Sequence, residues 1–452
     1  MILLRPAVLH GFGVVALFTL FAGEALRNTL SWYGFAAWAA ALLVVTIALC
    51  LAGIRHAGWL QAFPVQARPR TLPVHLLLLT AFLAWATASL LWSDYRLATL
   101  LAVVVLLVTT LVSATLVVAL GWAGVLRALT RALLAIVLLS LLFEIVVGLI
   151  GHPVLPVFPI RVEPGERVPD AFYWSRAELF TGGRIQGILG NANLLGFVSL
   201  LLVIVAACRR LAGSMSAPRA SIAVAVGVVG LALTRSTTVV ATAVAVTIVA
   251  VAVVVARRSR AAALAGLAGI LAAGALLAVP AAPLILDLLG KSEDLTGRAD
   301  IWATVWGLFL ERPVLGWGWT SYWQPWVPLF QELAVRNGVE YLQAHNAFLD
   351  VAFQLGAVGL LLFAGFLAAT GIAVARTPAG ETFRVSARAT GSSPARSGPS
   401  PAWVLGTLLP SLLLAALLTQ ALGESRLLVE GNWALLGALS FAVARHRQFT
   451  RV

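Results

Sequence analysis

The sequence predicts an all-α polytopic integral membrane protein, with about twelve transmembrane helices and a large outer loop that carries short interfacial helices. Three observations predict it. The 452 residues are 61% hydrophobic and 11% charged, with a mean hydropathy of +0.97, whereas soluble domains average roughly 45–50% apolar and about 25% charged. Apolar runs of spanning length recur along the whole chain. The arginines gather at one end of those runs. No soluble fold can hide so much apolar surface. The bilayer is therefore the solvent, and each span must satisfy its own backbone as a helix.

The runs lie near 7–23, 34–54, 74–92, 97–119, 130–150, 190–208, 220–234, 236–256, 261–281, 349–375, 403–422 and 432–444. The first follows Arg5 and resembles a signal peptide, but no small-x-small cleavage site follows it, so it reads as a retained helix. The stretch from Ser221 to Ala256 would reach more than about 50 Å as one helix, against a hydrocarbon core of about 30 Å. It must break, and the polar triplet Thr234-Arg235-Ser236 is the break point. Residues 1–281 thus hold about nine spans, with an outer loop near 151–189. Residues 282–348 form the large outer loop, and 349–452 hold about three more spans with a linker near 376–401. That linker is rich in Ser, Pro, Gly and Arg and reads as flexible.

Placing the N-terminus inside and alternating puts most of the 31 basic residues in inside segments, where the sole acid is Glu381. This positive-inside pattern leaves both termini cytoplasmic and turns the large loops outward. It also accounts for the net charge of +13 without nucleic acid, since the arginines sit in short loops and form no basic domain. Cys50 and Cys208 fall near inside ends of apolar runs and read as small buried hydrophobes. No internal repeat of the kind that marks transporters is visible.

The outer loops carry the residues with chemical potential. In Leu295-Thr296-Gly297-Arg298-Ala299-Asp300-Ile301-Trp302, Trp302 and the following Trp306 and Phe309 share one helical face, as in a helix lying in the interface. Thr296 can cap that helix and Pro313 end it. Arg298 at the helix start is poorly placed against the dipole unless an anion binds there. The alternative is a snorkelling arginine or one paired with Glu293, Asp294 or Asp300. Gly316-Trp317-Gly318-Trp319 is a turn that permits close backbone approach, a weak signal for phosphate binding. In Gln343-Ala344-His345-Asn346, Asn346 is the N-cap of the next helix and His345 stands at its mouth. A histidine there tends to stay neutral and can take a proton from a hydroxyl; the alternative is one that merely hydrogen-bonds.

Arg184 precedes Gly190-Asn191-Ala192-Asn193 at the entry of the sixth run, an anion-friendly arrangement or else an ordinary helix-entry loop. Arg235 is costly inside a bilayer, so it either meets a phosphate or snorkels to the headgroups. No His/Cys/Asp cluster has metal-ligand spacing and no Gly-x-Ser-x-Gly elbow is present. The candidate set is Arg, His and Asn, which suits a pyrophosphate leaving group neutralised by arginine with no metal and no cofactor.

The order of these motifs resembles the O-antigen ligase and O-antigen polymerase superfamily of bacterial envelope glycan enzymes. The matching elements are Arg184 to Asn193, Thr234-Arg235-Ser236, Gly297-Arg298 with Trp302, Pro313 with Gly316 and Gly318, and His345-Asn346 before Gly356 and Gly359. The resemblance implies a multi-spanning glycosyltransferase of the bacterial cytoplasmic membrane. Its donor would be a glycan on an undecaprenyl- or decaprenyl-type pyrophosphate, passed with inversion to a hydroxyl of a glycolipid, glycan or wall acceptor on the outer face. It further implies that Arg235 and Arg298 hold the pyrophosphate and His345 activates the acceptor. Arg184, Asn191, Asn193, Asn346, Gly316, Gly318 and Trp302 would bind substrate, and Glu424 and Arg426 would line the site. A polymerase joining repeat units differs only in its acceptor. A lipid-linked glycan transporter or flippase is the rival of another class, and it predicts charged or broken segments in paired halves near the midplane.

Overall fold

The computed structural model describes residues 5–55, 72–158, 168–270, 294–331, 333–336, 339–376 and 400–449. The expected linker at 377–399, residues 271–281 of the ninth run and the first part of the large outer loop, 282–293, lie outside the described residues. The rest is a helical bundle. Its elements are α1 (Pro6–Phe21), α2 (Gly23–Arg55), α3 (Val74–Ala88), α4 (Arg96–Ile150), α5 (Ala192–Leu211), α6 (Ala217–Thr234), α7 (Thr237–Ala256) and α8 (Arg260–Ile270). They continue with α9 (Asp294–Glu311), α10 (Ala347–Ala375), α11 (Pro401–Ala421) and α12 (Glu430–Phe449). Among the described residues, eight helices are long and apolar enough to cross a membrane. The strands there are a two-stranded ribbon of Val335-Arg336 against Val339-Glu340, beside an isolated bridge between Val154 and Ser175.

Helix length is governed by breaks. As a straight rod α4 would reach about 82 Å, far more than a bilayer core. Gly121 breaks it with φ 63° and ψ 165°, which separates the two spans read from the sequence. The expected break at Thr234-Arg235-Ser236 is also present. Arg235 takes a left-handed φ of 47°, and the Ser236 hydroxyl then accepts from Val239 N at 3.3 Å to cap α7. Gly356, at φ 65°, splits α10 into a short buried entry helix and the span proper.

α5 is the central span: 72% of its apolar window is buried, against 11% for α2 at the periphery. It packs on α6, α4 and α11, while α4 also carries α1 and α12. Large apolar side chains on the outside, Leu91, Leu149 and Leu361 among them, are exposed as lipid contact requires. Cys208 is buried, and Cys50 lies 3.1 Å from the Thr115 hydroxyl; both are free thiols, as expected. A second, smaller core lies within the segment between α9 and α10, where Val305, Trp323, Phe330 and Phe353 meet. The face that α9 buries in it is Ile301, Val305 and Leu308. The aromatic stripe expected to define that face is therefore offset by one residue. Trp306 and Phe309 pair at 4.8 Å beside the buried face, and Trp306 is exposed. An exposed aromatic edge is what an interfacial helix presents to headgroups.

The segment between α9 and α10 is bolted to α10 at Gly356. A Cβ on Gly356 would lie 2.2 Å from the Val314 oxygen, and one on Gly316 would lie 2.5 Å from the Gln354 carbonyl. Trp317 N and Gly318 N donate to the Phe353 and Gln354 carbonyls, and Ala357 N to that of Pro313. Left-handed backbone and steric overlap coincide at Gly356. Gly356→Ala should destabilise the protein by about 2 kcal/mol or more. Gly266→Ala, where a Cβ meets nothing within 4 Å, should leave the thermal melting midpoint of the purified protein unchanged.

Candidate active site

Four segments distant in sequence meet around one carboxylate. Glu424 lies in the short loop between α11 and α12, and its side chain is only 6% exposed. Its Oε1 accepts from Asn193 Nδ2 at 3.0 Å and from Arg298 Nη2 at 3.3 Å. Its Oε2 accepts from Gln343 Nε2 at 3.1 Å and lies 3.1 Å from His345 Nδ1. An ionised carboxylate only accepts, so Nδ1 carries the proton in this pair. In the neutral ring Nε2 then presents its lone pair. The imidazole also meets Tyr341 edge-on at 5.5 Å. Burial by itself pushes the Glu424 carboxyl up. The bond from His345, the charges of His345 and Arg298, and the Asn193 amide outweigh it and hold the group below the ordinary carboxylate range.

The local sequence explains how each partner is delivered. Asn346 caps α10, with its Oδ1 accepting from Phe348 N at 3.0 Å and Leu349 N at 3.2 Å. His345, one residue earlier, is left-handed at φ 53°, which throws its ring back over the last loop. Asp350, fully buried a turn into α10, holds both sides of this junction. It accepts from Ala344 N at 3.0 Å, from Trp323 Nε1 at 2.8 Å and from the Ser425 hydroxyl. The Gln343 side chain also accepts from Ser425 N at 3.1 Å. Trp302 on α9 donates to the Ala344 carbonyl at 2.9 Å, so the helix bearing Arg298 is tied to the loop bearing His345.

On the far side, Asn193 Oδ1 accepts from the Ser236 hydroxyl at 2.7 Å and from Arg184 Nη2 at 3.0 Å, while Arg184 Nε donates to the Thr234 carbonyl at 3.2 Å. The helix break at Arg235 is thereby joined to Glu424 through one amide. Arg235 itself is exposed, makes no ion pair among the described residues, and lies beside Gly182. Arg298 is 23% exposed, so part of its guanidinium faces outward from the carboxylate.

Of the sequence-predicted residues, Arg184, Asn193, Arg298 and His345 converge directly, and Arg235 borders them. Others serve the frame. Asn191 is the N-cap of α5, with Oδ1 accepting from Asn193 N and Leu194 N. Asn346 is a cap, and Trp302 an anchor. Gly316 and Gly318 are buried against Gln354 and Ser93 of the protein itself, which leaves no room there for a phosphate. Arg298 and Thr296 lie inside α9, which already includes Asp294, so Arg298 is a turn in and Thr296 is no cap. Arg426 points away from Glu424 into a separate cluster with Glu24, Arg27 and Glu430, where Arg27 Nη1 meets Glu430 at 2.6 Å and Arg426 Nη2 meets Glu24 at 3.4 Å. That cluster clamps the 423–429 loop and so aims Glu424. Glu144, an acid inside a span, is satisfied by Ser175 and by Gln186 N and Gly187 N. Sequence reasoning gave Glu424 a minor place and missed Gln343, Asp350 and Ser425. Their one local signal is a set of polar residues at helix ends, which is shared by many caps.

An O-antigen ligase family model matches residues 222–364. This stretch is similar to O-antigen ligases. No curated protein matches the chain. The matched segment contains Arg235, Arg298 and His345, and the groups that knit them together, Asn193 and Glu424, lie on either side of it. The match supports the superfamily resemblance and a glycan-transferring or glycan-ligating enzyme in a bacterial membrane. It implies lipid-linked glycan substrates and a glycan acceptor.

A depressed carboxyl contributes stability that is present above its ordinary range and lost as pH falls through its lowered value. Glu424→Gln should therefore melt below wild type at neutral pH. The gap should close as pH falls below the ordinary carboxylate range and the wild-type group protonates at its lowered value. Thermal melting of both proteins as pH is lowered checks this.

Proposed function

We propose that the protein transfers a glycan from a polyprenyl-pyrophosphate lipid to an acceptor hydroxyl at the outer face of the bacterial cytoplasmic membrane, in the manner of an O-antigen ligase. The observation that carries the reading is the shared carboxylate: Glu424 meets His345 at 3.1 Å on one oxygen and Arg298 at 3.3 Å on the other. A base and an anion-binding cation are thus held side by side.

The chemistry follows from that pairing. The acceptor O–H gives its proton to His345 Nε2, and the acceptor oxygen bonds to the sugar C1. The bond from C1 to the pyrophosphate oxygen breaks, and attack from the opposite face inverts the sugar. Glu424 keeps Nδ1 protonated and stabilises the imidazolium that forms. The pyrophosphate leaves with its negative charge, which Arg298 and Arg235 neutralise by charge-assisted hydrogen bonds, with Arg184 close behind. Arginine supplies the positive charge in this scheme, so it calls for no divalent metal. Arg298 is suited to the part because its salt bridge to Glu424 can be shared with an incoming phosphate oxygen. The positive-inside pattern supports the outward orientation.

Transfer of lipid-linked glycan by the purified protein should persist in EDTA. His345→Ala should lower the rate about 100-fold or more, and Arg298→Ala by a similar factor. Full activity in both variants would refute the assignment. Glycan length in a deletion strain separates the acceptors: unattached long chains mark a ligase, and short single repeats mark a polymerase. Counterflow of lipid-linked sugar with no bond formed would mark a transporter.

A further inference from the structure

The end of the bundle opposite His345 holds a cluster of cations that the proposed reaction does not use. Arg209 sits in the last turn of α5, about 24 Å along the helix axis from Asn193. It is buried, and its guanidinium donates to the Thr130 hydroxyl at 2.8 Å and the Ser214 carbonyl at 3.2 Å, both neutral partners. Thr130 lies between Arg127 and Arg131, which are exposed on the same stretch of α4. α1 packs there too: a Cβ on Gly13 would lie 3.3 Å from Ala128. This brings His10, a turn earlier, into electrostatic reach of Arg127, Arg131 and Arg209. His10 Nε2 is buried without a hydrogen-bond partner among the described residues. No acid among the described residues pairs with any of the four.

Three helices therefore concentrate positive charge around one partly buried spot with no counter-charge among the described residues. The α5 C-terminal carbonyls offset part of the charge on Arg209. They do nothing for Arg127 and Arg131, which stand a turn apart on one face and repel each other. Such a cluster is stabilised by an anion that accepts several hydrogen bonds at once, and a phosphate group is the acceptor that guanidinium geometry fits. Val8 and Leu211, two residues from His10 and Arg209 on their helices, are exposed, so apolar surface for a lipid tail lies at the same end of the bundle.

We propose that His10, Arg127, Arg131 and Arg209 form a phosphate-anion site at the face opposite the transfer site, suited to the headgroup of an anionic lipid. The site is independent of the proposed reaction. The experiment is thermal melting of the full chain in nanodiscs of phosphatidylcholine alone and of phosphatidylcholine with phosphatidylglycerol. Wild type should melt several degrees higher with phosphatidylglycerol, and Arg127→Gln/Arg131→Gln should lose that gain. Its melting in phosphatidylcholine alone reports whether it is folded, and Arg127→Lys/Arg131→Lys, which keeps the charge, should retain most of the gain. Arg219→Gln/Arg258→Gln, exposed arginines that are not members of the cluster, should keep most of it. Inorganic phosphate added to the phosphatidylcholine discs distinguishes the sources. A wild-type gain lost in the Gln pair means the site takes free phosphate, and no gain means it needs the lipid. The proposal is overturned if the Arg127/Arg131 Gln pair keeps the gain, or if the Arg219/Arg258 pair loses as much.

Discussion

A carboxylate taken out of water must be surrounded by donors, and Glu424 draws its donors from three different parts of the chain. Asn193 comes from the entry of α5, Arg298 from α9, and Gln343 and His345 from the end of the outer loop. Each arrives on an element that could not reach the others without the bundle. The loop bearing Glu424 is in turn clamped by Arg426 against Glu24 and Glu430, and crossed by the Asp350–Ser425 bond. Removing the carboxylate would leave a partly buried guanidinium and an unoriented imidazole facing each other with nothing between. The network is therefore cooperative in the sense that each hydrogen bond presupposes the next.

The membrane sets the terms on which this can happen. A spanning helix satisfies its own backbone and offers no free donors, so polar chemistry has to be placed where helices begin, end or break. The site follows that rule. Arg235 is at a break, Asn193 is in the first turn of α5, His345 is immediately before a cap, and Glu424 follows the end of α11. Arg235 and His345 both adopt left-handed backbone, which costs a non-glycine residue free energy and persists only where the surroundings enforce it. Here the surroundings are the Asn346 cap with Asp350 on one side, and Ser236 with Asn193 on the other. The outer loop is held just as firmly, because Gly316 and Gly356 let two backbones touch.

Much of this protein was legible in its sequence. Apolar runs pointed to spanning helices, of which the described residues hold eight against about twelve expected, because a bilayer demands a length and a composition that few other environments do. The overlong stretch from Ser221 to Ala256 announced its own break, and the break fell at Arg235. Asn346 read as a cap because Asn before an apolar run has a definite local task. His345 and Arg298 stood out because an imidazole and a guanidinium are conspicuous beside a membrane.

What the sequence could not determine was who meets whom. Gly316 and Gly318 fit a phosphate loop as well as a backbone crossing, and only the packing of Gly356 against Val314 decides for the crossing. Glu424 and Arg426 stand two residues apart in an irregular loop. Nothing local says that one faces His345 while the other faces Glu24. Spans and breaks are local consequences of hydropathy and backbone preference, and so belong to the sequence. The convergence of Asn193, Arg298, His345 and Glu424 depends on how the helices pack around α5. A buried carboxylate chooses its partners in space, and that choice was made by the tertiary structure alone.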